Sequence, residues 1–175
     1  MDYDVITLGG GCFWCLEAVY EDVVGVHEAL SGYMGGTQEE ATYANVSTGQ
    51  TGHAEVVQLS FNPEVISLEK ILAIFWNIHD PTTRNQQGHD TGPQYRSVIF
   101  YHNQDQYECA LHAQEKAQGK FSAPIVTDIV PALAFYEAEA YHRHYFKNNP
   151  DAGYCRVVVA PKVKKFQQTY PDLRR

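Results

Sequence analysis

The feature that most restricts the fold is a glycine-rich turn close to the start of the chain. The apolar run at residues 5–8 predicts a β-strand, and apolar residues recur at helical spacing from Leu16 onwards. Three consecutive glycines at 9–11 let the backbone turn sharply between these two elements. The sequence therefore predicts that Cys12 lies at or near the N-terminus of a helix.

The predicted position of Cys12 suits a reactive thiol. Unsatisfied N–H groups and the helix dipole favour an anion at a helix N-terminus, so a thiol there is expected to ionise more easily, and the thiolate is the nucleophile. Cys15 lies one turn further on the same side, at a separation compatible with a disulfide. The alternative is that both cysteines pack as small buried hydrophobes, which a Cys-x-x-Cys behind a glycine turn makes less favoured.

The composition indicates one globular domain that spans residues 1–175. Hydrophobic residues make up 44% of the chain and charged residues 19%, which is ordinary for a folded protein. The net charge of −8 argues against a protein that binds nucleic acid. We interpret the basic residues near the C-terminus as a solvated segment, with contact to phosphate or to a partner as the less favoured alternative: Lys162, Lys164, Lys165, Arg174 and Arg175.

The N-terminal residues lack a basic segment followed by a long apolar stretch, so we expect no signal peptide. No apolar run reaches transmembrane length. We therefore expect a cytoplasmic protein, in a compartment where structural disulfides are rare. The four cysteines are accordingly interpreted as redox-active, metal-binding or plain thiols.

The rest of the chain alternates predicted strands with predicted helices, separated by long polar loops at 35–53 and 79–94. The strands are predicted at 25–33, 54–61, 95–101 and 125–130. The helices are predicted at 68–78, 103–118 and 137–146. This order lacks the regular repeat of a doubly wound sheet. It predicts an α+β fold in which helices pack on a mixed, mainly antiparallel sheet.

One carboxylate is predicted to face the core. Glu55 shares its strand face with Val57, Leu59 and Phe61, because alternate residues of a strand point to the same side. Either this end of the strand still touches water, or the ionised form of Glu55 is disfavoured by desolvation. In the second case the carboxyl group is ready to donate a proton.

Metal and dinucleotide sites are disfavoured, and thiol redox chemistry remains. A structural zinc site needs a second ligand pair, but Cys109 and Cys155 stand alone and His142 and His144 point to different sides of a helix. The dinucleotide-binding fingerprint requires a glycine at the position of Trp14, whose bulky indole would block the approach of a phosphate. Cys12 is then the candidate nucleophile, and the candidate resolving thiols are Cys15 and Cys155.

The two residues between the first thiols are aromatic. Phe13 and Trp14 would place ring faces beside the nucleophile, which suits an apolar substrate group, unless both rings only fill the core.

Several separated motifs resemble one known family, the A-type peptide methionine sulfoxide reductases. Gly-Cys-Phe-Trp at 11–14, followed by Glu17, resembles the family signature. Further blocks follow in the family's order: Gly52-His53-Ala54-Glu55-Val56, His79-Asp80-Pro81, Asp90-Thr91-Gly92-Pro93-Gln94-Tyr95-Arg96-Ser97, Asn149-Pro150 and Gly153-Tyr154-Cys155. The resemblance implies a two-layer α/β core of the ferredoxin-like kind, with an irregular C-terminal segment wrapped over it.

The resemblance also implies roles. Cys12 would be the nucleophile, Glu55 would bind and protonate the sulfoxide oxygen, and Cys155 would be a resolving thiol. The substrate-binding residues would be Phe13, Trp14 and Tyr154 around the methyl group, Tyr43 and Tyr95 as hydrogen-bond donors, Asp90 in support and Tyr145 at the border. The chain departs from many members of the family, which have glycine where it has Cys15. A second resolving thiol is thereby possible, and the order in which Cys15 and Cys155 act stays open.

The implied activity is reduction of methionine-(S)-sulfoxide, free or in proteins, through a cysteine sulfenic acid and an intramolecular disulfide. Thioredoxin or a similar dithiol would restore the thiols. No metal or organic cofactor, nucleic acid or membrane is expected to take part, and the chain is expected to be a monomer.

Three rival interpretations remain. A thioredoxin-like disulfide oxidoreductase could use the Cys12/Cys15 pair, although a thioredoxin-like chain needs a strand and a helix before this motif. A metal-binding module and an interaction domain with inert thiols are the other two.

Overall fold

The computed structural model describes residues 2–175, which form one sheet with helices packed on it. Within these residues the sheet has six strands in the order β7-β6-β1-β3-β2-β8. The strands are β1 Asp4–Gly9, β2 Val26–Met34, β3 Ala54–Phe61, β6 Val98–Tyr101, β7 Asp128–Pro131 and β8 Tyr136–Glu137. A separate hairpin, β4 Gln86–Gln87 and β5 Asp90–Thr91, lies in the second polar loop.

The pairing of the strands is mainly antiparallel. β1 pairs antiparallel with β3 and β6, and β2 pairs antiparallel with β3 and β8. β6 and β7 run parallel. The predicted α+β fold with a mixed, mainly antiparallel sheet is confirmed. The register of β2 and β3 sets Tyr33 opposite Glu55, which brings the candidate acid to the centre of the sheet.

The helices are α1 Phe13–Tyr20, α2 Tyr43–Val46, α3 Leu68–Ile78, α4 Gln104–Gln118, α5 Tyr145–Asn148 and α6 Ala160–Thr169. The predicted helix over 68–78 has the expected cap, because the Ser67 hydroxyl accepts the Lys70 N–H at 3.2 Å. Leu72 and Phe75 of its apolar stripe are fully buried. No helix within residues 2–175 is long and apolar enough to cross a membrane.

Two apolar cores cover the two faces of the sheet. The larger core joins α1, α3, α4 and α6 to the face that carries Val57, Leu59 and Phe61. The smaller core on the other face contains Met34, which is fully buried, together with Ala54, Val56, Val98 and Phe100. The sulfur of Met34 accepts the Leu133 N–H at 3.4 Å, so the loop after β7 closes this face.

The C-terminal part of the chain differs from the prediction in two places. The predicted helix over 137–146 is wrong: the short strand β8, a 3₁₀ turn at Ala140–His142 and α5 occupy this region. His144 has a left-handed φ of +53°, which ends any continuous helix there. The basic tail was interpreted as solvated, yet it contains α6, whose Phe166 is fully buried.

Candidate active site

Cys12 caps the N-terminus of α1. Its backbone is extended, with φ −64° and ψ 133°, and its side chain is 6% exposed. Gly11 before it has a φ of +89°, a conformation that strongly favours glycine, and its N–H donates to the Tyr95 carbonyl at 3.2 Å. The predicted turn therefore delivers Cys12 to the helix start.

Glu55 lies directly against this helix start. Its Oε1 accepts the Phe13 N–H at 3.1 Å and satisfies an amide that α1 would otherwise leave unpaired. Its Oε2 is buried and has no hydrogen-bond partner within residues 2–175. Desolvation raises the pKa of Glu55 to about 8. The hydrogen bond from the Phe13 N–H opposes this rise, and the negative charge of Asp90 adds to it. At neutral pH the carboxyl group is therefore mostly protonated.

The pKa of Cys12 departs from the expectation for a helix N-terminus. Burial, and then the negative charges of Glu55 and Cys15, raise the pKa of the thiol well above its ordinary value. The backbone N–H of Trp14 opposes this rise and does not overcome it. Cys12 is therefore a protonated thiol at neutral pH.

Aromatic rings form one wall beside Cys12. Phe13 is fully buried, whereas Trp14 is partly exposed. The Tyr145 ring stacks on the indole with centroids 3.8 Å apart and an angle of 6°. The Tyr154 ring meets the indole edge-on at 5.7 Å. The structure thus brings together four of the aromatic residues that the sequence singled out, around a surface suited to an apolar group.

The orientation of the indole depends on a residue that the sequence interpretation missed. Trp14 Nε1–H donates to His142 Nδ1 at 2.9 Å. His142 is fully buried, its Nε2 has no partner within residues 2–175, and burial lowers its pKa, so the ring is neutral. Its signal in the sequence was the His-x-His spacing, which we weighed only as a metal motif.

Two tyrosine hydroxyls belong to the same group. Desolvation and the negative charge of Glu55 raise the pKa of Tyr43 to about 12, and the same two causes raise the pKa of Tyr95. Both phenols therefore stay protonated and able to donate. Glu139, which the sequence interpretation also missed, links β2 to the start of α2: it accepts the Tyr33 hydroxyl at 2.8 Å and the Tyr43 N–H at 2.9 Å.

Asp90 connects the polar hairpin to the C-terminal segment. Its Oδ2 accepts the Tyr154 hydroxyl at 2.5 Å, which fixes the ring beside Trp14. The contact joins residues 64 positions apart in the chain. The two residues come from separate blocks of the family resemblance, and the fold places them side by side.

The remaining thiols lie behind the nucleophile. Cys15 is 1% exposed and Cys155 is fully buried, and both pack in one apolar cluster with Ala18 and Val159. Cys155 begins a π-helical stretch, Cys155–Val159, that leads into α6. Cys109 is half-buried on α4 and packs at the edge of the large core instead. The structure therefore groups Cys15 with Cys155 and leaves Cys109 apart.

Glu17 anchors the start of the C-terminal segment to α1. Its carboxylate accepts the backbone N–H groups of His144 at 3.1 Å and Tyr145 at 3.3 Å. Glu17, Glu21 and His144 form the one group within residues 2–175 that could hold a metal ion, but Glu21 already pairs with His144 and Lys147. Sequence reasoning noted Glu17 as part of a motif and gave it no structural role.

A buried thiol at a helix start, a protonated carboxyl group against that helix start and a neighbouring cluster that holds two further thiols are the chemical groups of a thiol-dependent oxidoreductase. A family model for peptide methionine sulfoxide reductases matches residues 4–174, and the chain belongs to this family.

Individual relatives agree with this assignment. The peptide methionine sulfoxide reductase MsrA 1 of Rhodopirellula baltica is 50% identical over 169 residues, which cover 97% of this chain and 88% of that protein. The reduced form of Mxr1 from Saccharomyces cerevisiae superposes with a TM-score of 0.83 at 38% identity, covering 87% of this chain and 89% of that one. Mxr1 in complex with Trx2 gives a TM-score of 0.58 at 30% identity, over 83% and 89% of the two chains.

Proposed function

We propose that the protein reduces methionine-(S)-sulfoxide, free or within proteins, to methionine. The observation that carries this proposal is the Oε2 of Glu55, which is buried close to the Cys12 thiol and has no hydrogen-bond partner within residues 2–175, beside a wall of aromatic side chains. This arrangement offers a nucleophile for the sulfoxide sulfur, a proton for its oxygen and an apolar wall for its methyl group. The (S) epimer follows from the A-type resemblance, because each epimer has its own enzyme class.

In the first step, the sulfur of Cys12 attacks the sulfoxide sulfur while Glu55 protonates the sulfoxide oxygen. The oxygen leaves as the hydroxyl of a Cys12 sulfenic acid, and methionine departs with its sulfur reduced by two electrons. The Cys12 thiol proton replaces the one that Glu55 gives up, so the carboxyl group is regenerated. The protonated state of Glu55 at neutral pH supports this role.

The substrate pocket follows from the same geometry. Phe13, Trp14 and Tyr154 surround the methyl group, and Tyr145 backs the indole. Tyr43 and Tyr95 donate hydrogen bonds to the sulfoxide oxygen, since both phenols stay protonated. Asp90 acts through Tyr154, whose hydroxyl it holds.

The two remaining thiols act in a fixed order. Cys15, one turn from Cys12, attacks the Cys12 sulfenic acid, forms the Cys12–Cys15 disulfide and releases water. Cys155 then attacks Cys15, which frees Cys12. The packing of Cys15 and Cys155 in one apolar cluster supports this order.

An external dithiol, of which thioredoxin is our candidate, reduces the Cys15–Cys155 disulfide. The solved complex of the yeast relative Mxr1 with Trx2 supports this choice. We further propose a single catalytic domain over residues 1–175, a cytoplasmic monomer, and a reaction that uses no metal or organic cofactor.

A single-turnover experiment tests the proposal. Reduced protein is mixed with methionine-(S)-sulfoxide without reductant, methionine is counted per chain, and disulfides are mapped by mass spectrometry. We expect about two methionines per chain with a Cys15–Cys155 bond, because Cys12 is freed for a second attack. The Cys155→Ser variant should release about one methionine per chain and should end with a Cys12–Cys15 disulfide. Cys109→Ser is the matched control and should behave as the natural chain does.

The outcomes separate the parts of the proposal. Absence of methionine would refute the activity and revive the disulfide oxidoreductase, which an insulin-reduction assay would detect. One methionine with a Cys12–Cys155 bond would keep the activity and refute the order of the thiols.

A further inference from the structure

A small cavity lies beside His142, the residue that accepts the Trp14 N–H. The cavity measures about 10 Å³, and its wall includes Ser31 from β2, Glu17 from α1, Glu139 and His142. A cavity of this volume has room for a water molecule and for no larger ligand. It is therefore a candidate site for a single bound water.

The hydrogen bond to the indole determines where His142 carries its proton. An indole nitrogen can only donate, so His142 Nδ1, which receives the Trp14 N–H at 2.9 Å, must be unprotonated. The ring therefore carries its proton on Nε2. This Nε2–H is a buried donor, and it has no hydrogen-bond partner within residues 2–175.

A second polar atom of the cavity wall also lacks a partner. Ser31 is 6% exposed, and its hydroxyl oxygen is buried without a hydrogen bond within the described part of the chain. The carboxyl oxygens of Glu17 and Glu139 already accept hydrogen bonds from other parts of the fold. Ser31 Oγ and His142 Nε2 are thus the two buried polar side-chain atoms of this wall that still need a partner.

We propose that one water molecule bridges Ser31 Oγ and His142 Nε2, and that Ser31 is thereby a positioning residue for the aromatic wall of the substrate pocket. This inference rests on the proposed function, and it names a residue and a water site that the mechanism above does not use.

The bridge gives both of these atoms a hydrogen-bond partner. The water oxygen accepts the Nε2–H of His142, and one water proton is donated to Ser31 Oγ. Glu139, in the same wall, has further carboxylate lone pairs for the second water proton. Two to four polar partners are what a buried water requires. Glu137 and Arg143 form the partly exposed side of the wall, so water can enter from solvent.

The water acts on the indole through the tautomer of His142. As long as Nε2–H has an acceptor, the proton stays on Nε2 and Nδ1 remains free to accept from Trp14. Without that acceptor the preference for this tautomer weakens, and a ring with its proton on Nδ1 cannot accept the indole N–H. Ser31 therefore helps to hold the indole in the position where the Tyr145 ring stacks on it, without touching the reacting atoms.

The water site is tested first in the resting protein by nuclear magnetic resonance. The histidine rings are labelled with ¹⁵N, and His142 is assigned as the signal that His142→Phe removes. We expect the ¹⁵N shifts of a ring protonated on Nε2, and a cross-peak from this proton to a long-lived water. Shifts of the other tautomer, or an Nε2–H signal without a water cross-peak, would overturn the water site.

Two variants of nearly equal shape then separate the hydroxyl group from packing. Ser31→Thr keeps the hydroxyl, Ser31→Val replaces it with a methyl group, and both add the same bulk to β2. Compared with Ser31→Thr, Ser31→Val should raise KM for methionine sulfoxide about threefold and change kcat by less than about twofold, because one neutral hydrogen bond behind the substrate wall is lost. The His142 signals of Ser31→Val should lose the water cross-peak.

Ser60→Val, a strand serine outside the cavity wall, is the control and should leave both kinetic constants unchanged. Equal KM values for the Thr and Val variants at Ser31 would overturn the role of Ser31, and so would an intact water cross-peak in Ser31→Val. The measurement on the natural chain decides the water site even where a substitution at Ser31 prevents folding. Absence of methionine release from the natural chain would refute the proposed function instead, since the tautomer and the water are observed without substrate.

Discussion

Glu55 combines two tasks that depend on different oxygens. One oxygen accepts the first amide of α1 and so fixes the carboxyl group against the helix, while the other is buried and has no hydrogen-bond partner within residues 2–175. Burial makes ionisation costly and keeps the proton on the group at neutral pH, with a pKa of about 8. The same surroundings that position the carboxyl group therefore also make it an acid.

Replacing Glu55 by glutamine should slow the chemistry far more than it weakens binding. The amide still accepts the Phe13 N–H, but it supplies no proton, so kcat should fall by about 10²–10⁴ with KM changed by less than about threefold. In the natural chain, activity should fall as the pH rises through about 8, where Glu55 ionises, and this limb should vanish from the residual activity of the variant.

Steady-state kinetics across pH would check this. Glu28→Gln, an exposed glutamate on β2, is the matched control and should be unaffected. Full activity of Glu55→Gln at neutral pH would exclude the acid role.

His142 should control the indole without touching the reacting atoms. His142→Phe keeps a ring in the buried site but leaves the Trp14 N–H without its acceptor, at a cost of about 1 kcal/mol. We therefore expect kcat/KM to fall about fivefold, mainly through KM. His112→Phe, an exposed position on α4, provides the control. A drop in kcat alone would contradict a role in orienting the substrate wall.

At the scale of elements, the C-terminal segment is tied down at two points. Glu17 binds the amides at the start of α5, and Asp90 binds Tyr154 just before Cys155. Between these ties the segment lays Tyr145 on Trp14 and buries Cys155 behind Cys15. The segment is thus a cover that both completes the pocket and hides the last thiol.

Removing the first tie should loosen this cover. Glu17→Ala leaves the amides of His144 and Tyr145 unpaired, and we expect amide hydrogen exchange over residues 144–149 to accelerate about tenfold, while β1 and β3 stay protected. Glu21→Ala removes the ion pairs to the exposed side chains of His144 and Lys147 but leaves the backbone amides of the segment paired, so it should have a smaller effect. Equal acceleration in both variants would show that Glu17 is not the tie.

The elements that the sequence predicted well are those whose burial follows a simple period. β3 alternates from Val57 to Phe61, and α3 has both a serine cap and an apolar stripe, so local pattern and packing agree there. α6 was missed because it is mostly polar and is held by few side chains, chiefly Phe166, whose burial no local pattern reveals. The helix predicted around His144 was wrong for the opposite reason: the composition there favours a helix, but one residue with a left-handed backbone conformation, His144, interrupts it.

The residues of the active site also divide into those that a local sequence pattern predicts and those that only the assembled fold brings together. Cys12 and Glu55 could be located from a motif and a strand face. The bond between Trp14 and His142 joins residues 128 positions apart, and Glu139 reaches Tyr43 across 96 positions. Such contacts depend on the assembled fold, and no local spacing encodes them.

For the whole molecule, the two buried carboxyl groups determine how stability varies with pH. The folded-state pKa values of Glu17, about 7, and Glu55, about 8, lie above the ordinary value of 4.5, so the folded state binds protons more tightly than the unfolded chain. Their contribution is fully present below the ordinary pKa and is lost as the pH rises through the folded values. The slope is about 1.4 kcal/mol per pH unit for each group.

We therefore expect the free energy of unfolding to fall between pH 6.5 and about 8, a window in which the buried histidines His79 and His142 are neutral in the folded state. In Glu55→Gln, the decrease in the free energy of unfolding that continues above pH 7 should be absent. The variant should therefore be more stable than the natural chain at pH 9. Urea denaturation of the reduced protein at several pH values measures this. A rising stability over the same window would refute the assignment of these two carboxyl groups.

The fold also shields Met34 from oxidants. The chain contains two methionines, and the one that the structure describes, Met34, has no solvent-accessible surface. A peroxide molecule that collides with residues 2–175 meets no thioether on the surface. An enzyme that repairs oxidised methionine in other proteins thus offers, over residues 2–175, no surface copy of its own substrate to neighbouring molecules of the same enzyme.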